Sequence, residues 1–229
     1  MRCKSVLFFV IFSKSIFGQF NNSFNYWEWG IGVGSMYYQG EMTPSIEPLA
    51  LFNSTRPHFQ LNYKYSVHPL VLLCLDGSYS ILVAKDEDYT QNRNRGWEMN
   101  THIIQLNPSM EINLRRFGKF HYRNKLALYI KGGGGLLLYN PTPTFATPLP
   151  DNHILYNGSY QTINLFGGGG MKIRVSYNYM ITLEGTIHYA FTDRLEGWDR
   201  NFLSFNDMYG GFRITVQRLM MGTNVKSRR

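Results

Sequence analysis

Two runs of four glycines are the first feature of the sequence that could do chemistry. They are Gly132–Gly135, in "KGGGGLLLY", and Gly167–Gly170, in "FGGGGMKI". A phosphate loop needs a Lys and a Ser or Thr directly after its last glycine, and a dinucleotide loop needs the spacing G-x-G-x-x-G. Neither run has either pattern, and "GIGVG" at Gly30–Gly34 precedes no predicted helix. The sequence therefore predicts no nucleotide site and no cofactor.

Histidines and carboxylates could hold a metal where they cluster. The six histidines, however, are scattered singly along the chain. His188 follows Glu184 by four residues on a predicted strand, which places both on one face, and packing explains this pair better than ligation does. The sequence predicts no metal site.

The segments that carry these residues alternate between apolar and polar side chains with a period of two. In His58–Tyr65, "HFQLNYKY", apolar and aromatic residues alternate with polar ones, so a strand separates two faces that a helix would mix. The alternation recurs at 27–34, 70–81, 104–114, 180–191 and 212–217. With the glycine-bearing segments Leu126–Tyr139 and Tyr160–Val175, these predict about eight strands, most longer than the roughly 5–6 residues of soluble strands.

Connection length also alternates. The connections near 40–56, 83–100, 140–159 and 193–206 are long, and those near 66–69, 115–124 and 176–178 are shorter. Long outer loops and short periplasmic turns are typical of outer-membrane barrels. We therefore predict an all-β fold, an eight-stranded antiparallel transmembrane β-barrel with both termini periplasmic and four longer extracellular loops. A secreted or periplasmic β sandwich is the alternative.

The N-terminus predicts export. Residues 1–18 have the positive start and short apolar run of a cleaved signal peptide, although a buried first strand or helix would also be apolar. We predict a barrel over 19–219, a basic periplasmic tail over 220–229 and a location in the outer membrane. Cys74 would then be the one cysteine of the mature chain, so no internal disulfide is expected. No apolar stretch reaches the roughly 20 residues of a spanning helix.

The polar face of the strands should line the barrel interior, because a charge facing lipid costs about 2–4 kcal/mol near the midplane. An interior of eight strands is narrow and filled by side chains. We expect an ion-pair network there instead of a solute channel, built from Glu28, Lys64, Glu111, Lys131, Glu184 and Arg213. Pro108 interrupts a strand and predicts a β-bulge.

The glycine runs fall within two strands joined by one loop. A symmetric hairpin would place Gly132 opposite Gly170 and Gly135 opposite Gly167. Glycine in a strand costs about 0.5–1 kcal/mol relative to alanine. Tight barrel curvature, space for large interior side chains or close approach of a partner barrel from the lipid side would each explain the runs.

Some eight-stranded outer-membrane barrels are lipid-modifying enzymes, and the deacylase type has a His and a Ser two residues apart on the lipid face. In this chain His58 is followed by Gln60, and His188 by Ala190. The sequence therefore predicts no catalytic residue, no enzyme and no small-molecule substrate.

Positive charge is concentrated in the turn "RRFGKFHYRNK", which contains no acidic residue. The candidate partner-binding residues are Arg115, Arg116, Lys119, Arg123 and Lys125. The turn is either a solvated rim that touches phospholipid headgroups or a docking surface for an acidic periplasmic partner. Nucleic acid is not expected as a partner in this location.

Three segments carry a family resemblance: "WEWGIGVGSMYYQGEM", "HYAFTDRLEGWDRN" and "NDMYGGFRITV". They resemble the first strand, the penultimate strand with its loop, and the entry to the last strand of PorG-like outer-membrane barrels of the Bacteroidetes type IX secretion system. The 140–159 loop and the tail after Gln217 have no counterpart in that pattern.

This resemblance implies a non-enzymatic component of the protein secretion and gliding machinery. Such a barrel would lie in outer-membrane lipid and tie the periplasmic ring, formed by a lipoprotein and its partner protein, to that membrane. The alternative is a small structural barrel or adhesin that acts through its extracellular loops, of which the proline-rich 140–159 loop is one.

Overall fold

In the computed structural model, eight antiparallel strands close into a barrel. The structure describes residues 25–40, 42–43, 53–89, 94–147, 153–156, 158–200 and 206–221. The barrel strands are β1 (Tyr26–Gln39), β2 (Arg56–His68), β3 (Val71–Lys85), β4 (Trp97–Asn113), β5 (Leu126–Phe145), β7 (Tyr160–Arg174), β8 (Tyr179–Ala190) and β10 (Met208–Met221). Two short strands, β6 (His153–Leu155) and β9 (Trp198–Arg200), form a separate ribbon.

Each barrel strand pairs with its sequence neighbour in the barrel, and β1 pairs with β10 to close the ring. The predicted fold is therefore confirmed. Tyr26 lies opposite Met221, at the end of the barrel that also holds the connections 69–70, 114–125 and 175–178, two of them short. This is the periplasmic end. The connections at the extracellular end are 40–55, 86–96, 146–159 and 191–207, of which 86–96 is about as long as 114–125 and the other three are longer. The predicted segment 1–18 and residues 222–229 of the predicted tail lie outside the described residues.

The predicted faces are also confirmed, with the polar face inside. Phe59 and Leu61 are 54% and 63% exposed on the outer wall, whereas His58 and Lys64 are each 1% exposed within the barrel. Alternation follows because successive side chains of a strand point to opposite sides of the wall. Within the described residues, no helix is long and apolar enough to cross a membrane.

The β4–β5 hairpin is longer than predicted at its extracellular end. Trp97 pairs with Phe145, so β5 takes in the first six residues of the predicted 140–159 loop. Likewise, β3 extends to Lys85, and residues 86–88 form a single 3-10 turn. Polar and proline residues in these segments gave a loop-like composition, but the paired partner strand keeps them extended.

The predicted bulge at Pro108 is wrong. Leu106 pairs with Leu136 and Ser109 with Gly133, which is one register, and Pro108 itself pairs with Leu75 of β3. A bulge would add a residue and shift this register. The chain instead passes Pro108 beside the glycines of β5: a Cβ at Gly133 would clash with the Pro108 carbonyl oxygen.

The glycine runs lie within strands, as predicted, but their predicted register is wrong by three residues. Gly132 faces Gly167, Tyr129 faces Gly170 and Gly135 faces Asn164. The odd shift has a physical cause. Lys131 and Lys172 both point inward, and directly paired residues of an antiparallel sheet lie on the same face. An odd-numbered residue of β5 must therefore pair with an even-numbered residue of β7, so the two residue numbers of each pair add up to an odd number. The predicted symmetric pairing, in which the two residue numbers of each pair add up to an even number, would have turned one of these two lysines toward lipid.

Candidate functional site

Buried ion pairs fill the periplasmic half of the barrel. Lys64 Nζ lies 2.7 Å from Glu111 Oε2, Lys172 also pairs with Glu111, and Lys172 Nζ lies 3.8 Å from Glu28 Oε2. All four side chains are at most 1% exposed. Because lone charges are costly in such an environment, the lysines and glutamates stabilise one another only as a set.

A second group lies nearer the middle of the barrel. Lys131 Nζ is 2.6 Å from Asp76 Oδ2 and 3.7 Å from Glu184 Oε1, and Arg213 pairs with Glu184. The predicted interior network is thus present, and Asp76 and Lys172 also belong to it. Both lie on the polar parity of their strands, which is the sequence signal that could have found them. The network combines four acids with four bases, so the interior is filled and balanced in charge.

The buried histidines pack inside this wall. His188 stacks between the rings of Phe166 and Tyr209, with centroids 5.1 and 4.7 Å away. His58 Nδ1 lies 2.6 Å from Ser80 Oγ, a contact that resembles a base and a nucleophile. Both residues are at most 1% exposed, so a substrate could not reach this pair. In the described part of the chain, no group of three His, Cys, Asp or Glu residues could hold a metal.

The β4–β5 turn closes the periplasmic end. Phe117 is fully buried under the barrel, and its carbonyl oxygen accepts a hydrogen bond from Tyr26 OH at 3.4 Å. Arg174 Nη2 donates to the Gly118 carbonyl oxygen at 2.6 Å. These contacts hold the basic turn rigidly against β1 and β7.

The structure divides the candidate partner-binding residues into two groups. Arg115, Arg116, Arg123 and Lys125 are exposed on this rim. Lys119 is only 6% exposed: its Nζ donates to Asn178 Oδ1 and lies 4.0 Å from the centre of the Tyr177 ring. Burial and the nearby guanidinium groups of Arg174 and Arg218 lower the pKa of Lys119. Lys119 therefore fixes the turn to the β7–β8 connection, and the other four present charge to solvent.

A folded loop covers the extracellular end. Tyr38 OH donates to Glu196 Oε1 at 2.9 Å and also bonds Asp207, whose other oxygen accepts the Leu195 backbone N–H at 3.0 Å. Trp198 is 2% exposed between Trp97 and Phe145, with ring centroids 5.4 and 5.6 Å away. We call residues 191–200 the lid, because they cover the barrel mouth.

The pKa of Asp207 lies well above its ordinary value, mainly because the carboxyl group is buried beneath the lid. The nearby carboxylate of Glu196 adds to this increase. The sequence did not identify this pair of carboxyl groups, because Glu196 and Asp207 are separated by most of a loop.

The chain is similar to one family model and to several solved structures. A family model described as "Domain of unknown function (DUF6089)" matches residues 2–214. No curated protein matches the chain. Three similar solved structures are all outer-membrane barrels. A major outer membrane protein from Thermus thermophilus has a TM-score of 0.49 at 8% identity, covering 85% of this chain and 99% of that one.

The second is Neisserial surface protein A, with a TM-score of 0.44 at 11% identity, covering 85% of this chain and 96% of that one. The third is the outer membrane enzyme PagL, with a TM-score of 0.40 at 12% identity, covering 83% and 97%. Independently of these likenesses, the closed barrel has an apolar outer wall around a polar interior, which is the arrangement of a membrane-spanning β-barrel.

Proposed function

The chain belongs to the family described as the domain of unknown function DUF6089, and we propose that it is a non-enzymatic barrel that anchors a periplasmic protein complex to the outer membrane. The observation that carries this proposal is the basic rim, defined as the exposed residues Arg115, Arg116, Arg123 and Lys125. They lie on a turn that is itself packed against the barrel end. A charged surface held on a rigid support suits docking.

The partner should present an acidic surface. The turn from 114 to 125 contains no Asp or Glu, so its positive potential is not neutralised within the turn. Such a surface attracts and orients an acidic protein, with a strength that falls as salt rises. Following the resemblance to PorG-like barrels, we propose that this acidic surface belongs to the periplasmic ring of the type IX secretion system, which is formed by a lipoprotein and its partner protein.

The filled interior favours this function over transport of solutes. Phe117 covers the periplasmic end, the lid covers the extracellular end, and balanced ion pairs occupy the space between them. A barrel built in this way offers its two rims and outer wall for function.

Charge reversal tests the proposal. We expect R115E/R116E to lower co-purification of the ring proteins at least about tenfold. The wild-type barrel should lose the ring proteins in the same way at high salt, because salt screens the charges. The matched control is K85E/R194E, which reverses two charges at the extracellular end and should leave recovery unchanged. Equal recovery from both variants would refute docking at the rim. Loss of anionic-lipid binding with ring recovery intact would instead assign the rim to phospholipid headgroups.

One observation favours an adhesin as the second candidate. The β6–β9 ribbon exposes Ile154 and Leu155, at 44% and 46%, beyond the barrel mouth. A deletion strain distinguishes the two functions. Loss of type IX secretion with normal adhesion supports the anchor, and loss of adhesion with normal secretion supports the adhesin.

A further inference from the structure

A polar ledge borders the apolar outer wall of the barrel near its extracellular end. It consists of His102 on β4, Asn140 on β5 and Gln161 on β7, all exposed on three adjacent strands. His102 pairs directly with Asn140, and Gln161 faces Leu138, the next outward residue of β5. The three side chains therefore lie on neighbouring strands of the outer face, with Gln161 one outward position nearer the midplane in the strand register.

Directly toward the membrane midplane, each of these strands becomes apolar. The next outward residues are Ile104, Leu138 and Ile163, which are 54%, 47% and 56% exposed. The ledge thus lies at the boundary between the apolar band and the aqueous side, in the headgroup region of the outer leaflet.

The ledge borders a depression of about 690 Å³ in the wall, which places it among small-molecule sites in size. Its lining changes along the barrel axis from Ile104 and Leu138 to His102, Asn140, Ser159 and Gln161. Tyr79 OH lies 2.7 Å from His102 Nδ1, and this contact fixes the imidazole at the edge of the depression. An amphipathic ligand that lies along the membrane normal matches this gradient.

The lining of this first depression favours an uncharged headgroup. None of the residues that line this depression is Lys, Arg, Asp or Glu. Hydroxyl, amide and imidazole groups both donate and accept hydrogen bonds, which suits a neutral ligand with many hydroxyls better than a phosphate. Tyr79 and Tyr160 add aromatic surface beside these groups.

A second depression, of about 400 Å³, continues from the first and shares Tyr139, Tyr160 and Gln161 with it. It is lined by Thr192, Asp193 and Arg194 of the lid and by Asn206, so it adds one acidic and one basic side chain to the polar groups. A headgroup larger than one ring would extend into this space, toward the aqueous side.

We propose that the ledge and its two depressions bind a glycolipid of the outer leaflet. The sugar hydroxyls bond to Asn140, Gln161 and the His102 imidazole, and an acyl chain follows Ile104 and Leu138 toward the midplane. This site is separate from the basic rim, which lies at the opposite end of the barrel.

Native mass spectrometry of the full chain in detergent tests this inference. The probes are a diglucosyl diacylglycerol and a phosphatidylglycerol with the same acyl chains, offered together in equal amounts. We expect wild type to retain the glycolipid preferentially, and N140A/Q161A to lower the ratio of glycolipid to phosphatidylglycerol about tenfold through two lost hydrogen-bonding groups.

The control is Phe212→Ala, which removes a 70% exposed side chain elsewhere on the outer wall and should leave the ratio unchanged. The substituted ledge residues are exposed, so the barrel should still fold, which the change in gel mobility on heating verifies. Equal retention of both lipids by wild type, a preference for phosphatidylglycerol, or an unchanged ratio in N140A/Q161A would each overturn the proposal.

Discussion

Glu111 lies between Lys64 and Lys172 inside the barrel, with its Oε2 at 2.7 Å from Lys64 Nζ and its other oxygen paired with Lys172. One carboxylate therefore balances two buried ammonium groups, and Glu28 is the other acid within reach of Lys172.

Removing the Glu111 charge should destabilise the barrel strongly. We expect Glu111→Gln to lower the free energy of unfolding by about 3–5 kcal/mol, because two buried lysines lose their shared partner. Guanidinium unfolding in lipid vesicles measures this. Glu98→Gln is the control: Glu98 pairs with Lys85 at 2.9 Å, but both are about 40% exposed, and such surface pairs contribute about 0–1 kcal/mol. Similar losses in both variants would contradict a stabilising role for the interior network.

The two glycine runs allow substitutions on the inner and outer faces of the barrel wall to be compared. A Cβ at Gly135, which points inward, would clash with the Leu106 carbonyl oxygen, whereas a Cβ at Gly167 on the outer wall meets nothing within 4 Å. We expect Gly135→Ala to reduce the yield of folded barrel sharply and Gly167→Ala to be neutral or to stabilise by about 0.5–1 kcal/mol. Refolding into vesicles compares the two, and impaired folding of Gly167→Ala would show that the bare outer patch has a contact of its own.

The lid should loosen as pH rises. Burial and Glu196 raise the pKa of Asp207, so the folded lid holds this proton more tightly than the open lid does. The resulting stability is complete below about pH 4, the ordinary pKa of Asp, and is lost as pH rises through the folded pKa. Acrylamide quenching of Trp97 and Trp198, in a W27F/W29F background, should increase with pH.

Two variants check the origin of this pH effect. Asp207→Asn removes the titrating group and should flatten the quenching profile, whereas Glu98→Gln, at an exposed carboxyl, should leave it as in wild type. Quenching that falls as pH rises would contradict the raised pKa.

Lys119 should behave differently from its basic neighbours. It is buried against Asn178 and Tyr177, so Lys119→Ala should lower stability by about 1–3 kcal/mol through the lost charged hydrogen bond and ring contact. Exposed Arg123→Ala should leave stability within about 0.5 kcal/mol. Thermal unfolding in vesicles compares the two variants. Equal stability would show that Lys119 contributes no more to stability than the exposed residues of the basic rim.

The sequence by itself determined the parity of each strand and the number of strands. These follow from local physics, because a residue faces lipid or the interior according to its position in a two-residue repeat. That is why Phe59 and Lys64 could be assigned to opposite faces, and why six members of the ion-pair network were predicted before their partners were known.

Only the tertiary structure decided the pairings across strands. These pairings join positions that are distant in the chain. They include the offset that places Gly132 opposite Gly167 and the contact of Lys131 with Asp76. The burial of Lys119 and the contacts of Tyr38 with Glu196 and Asp207 are of the same kind. Composition cannot specify them, because strand register and loop docking are set by the closure of the whole barrel, in which every strand fixes the position of its two neighbours.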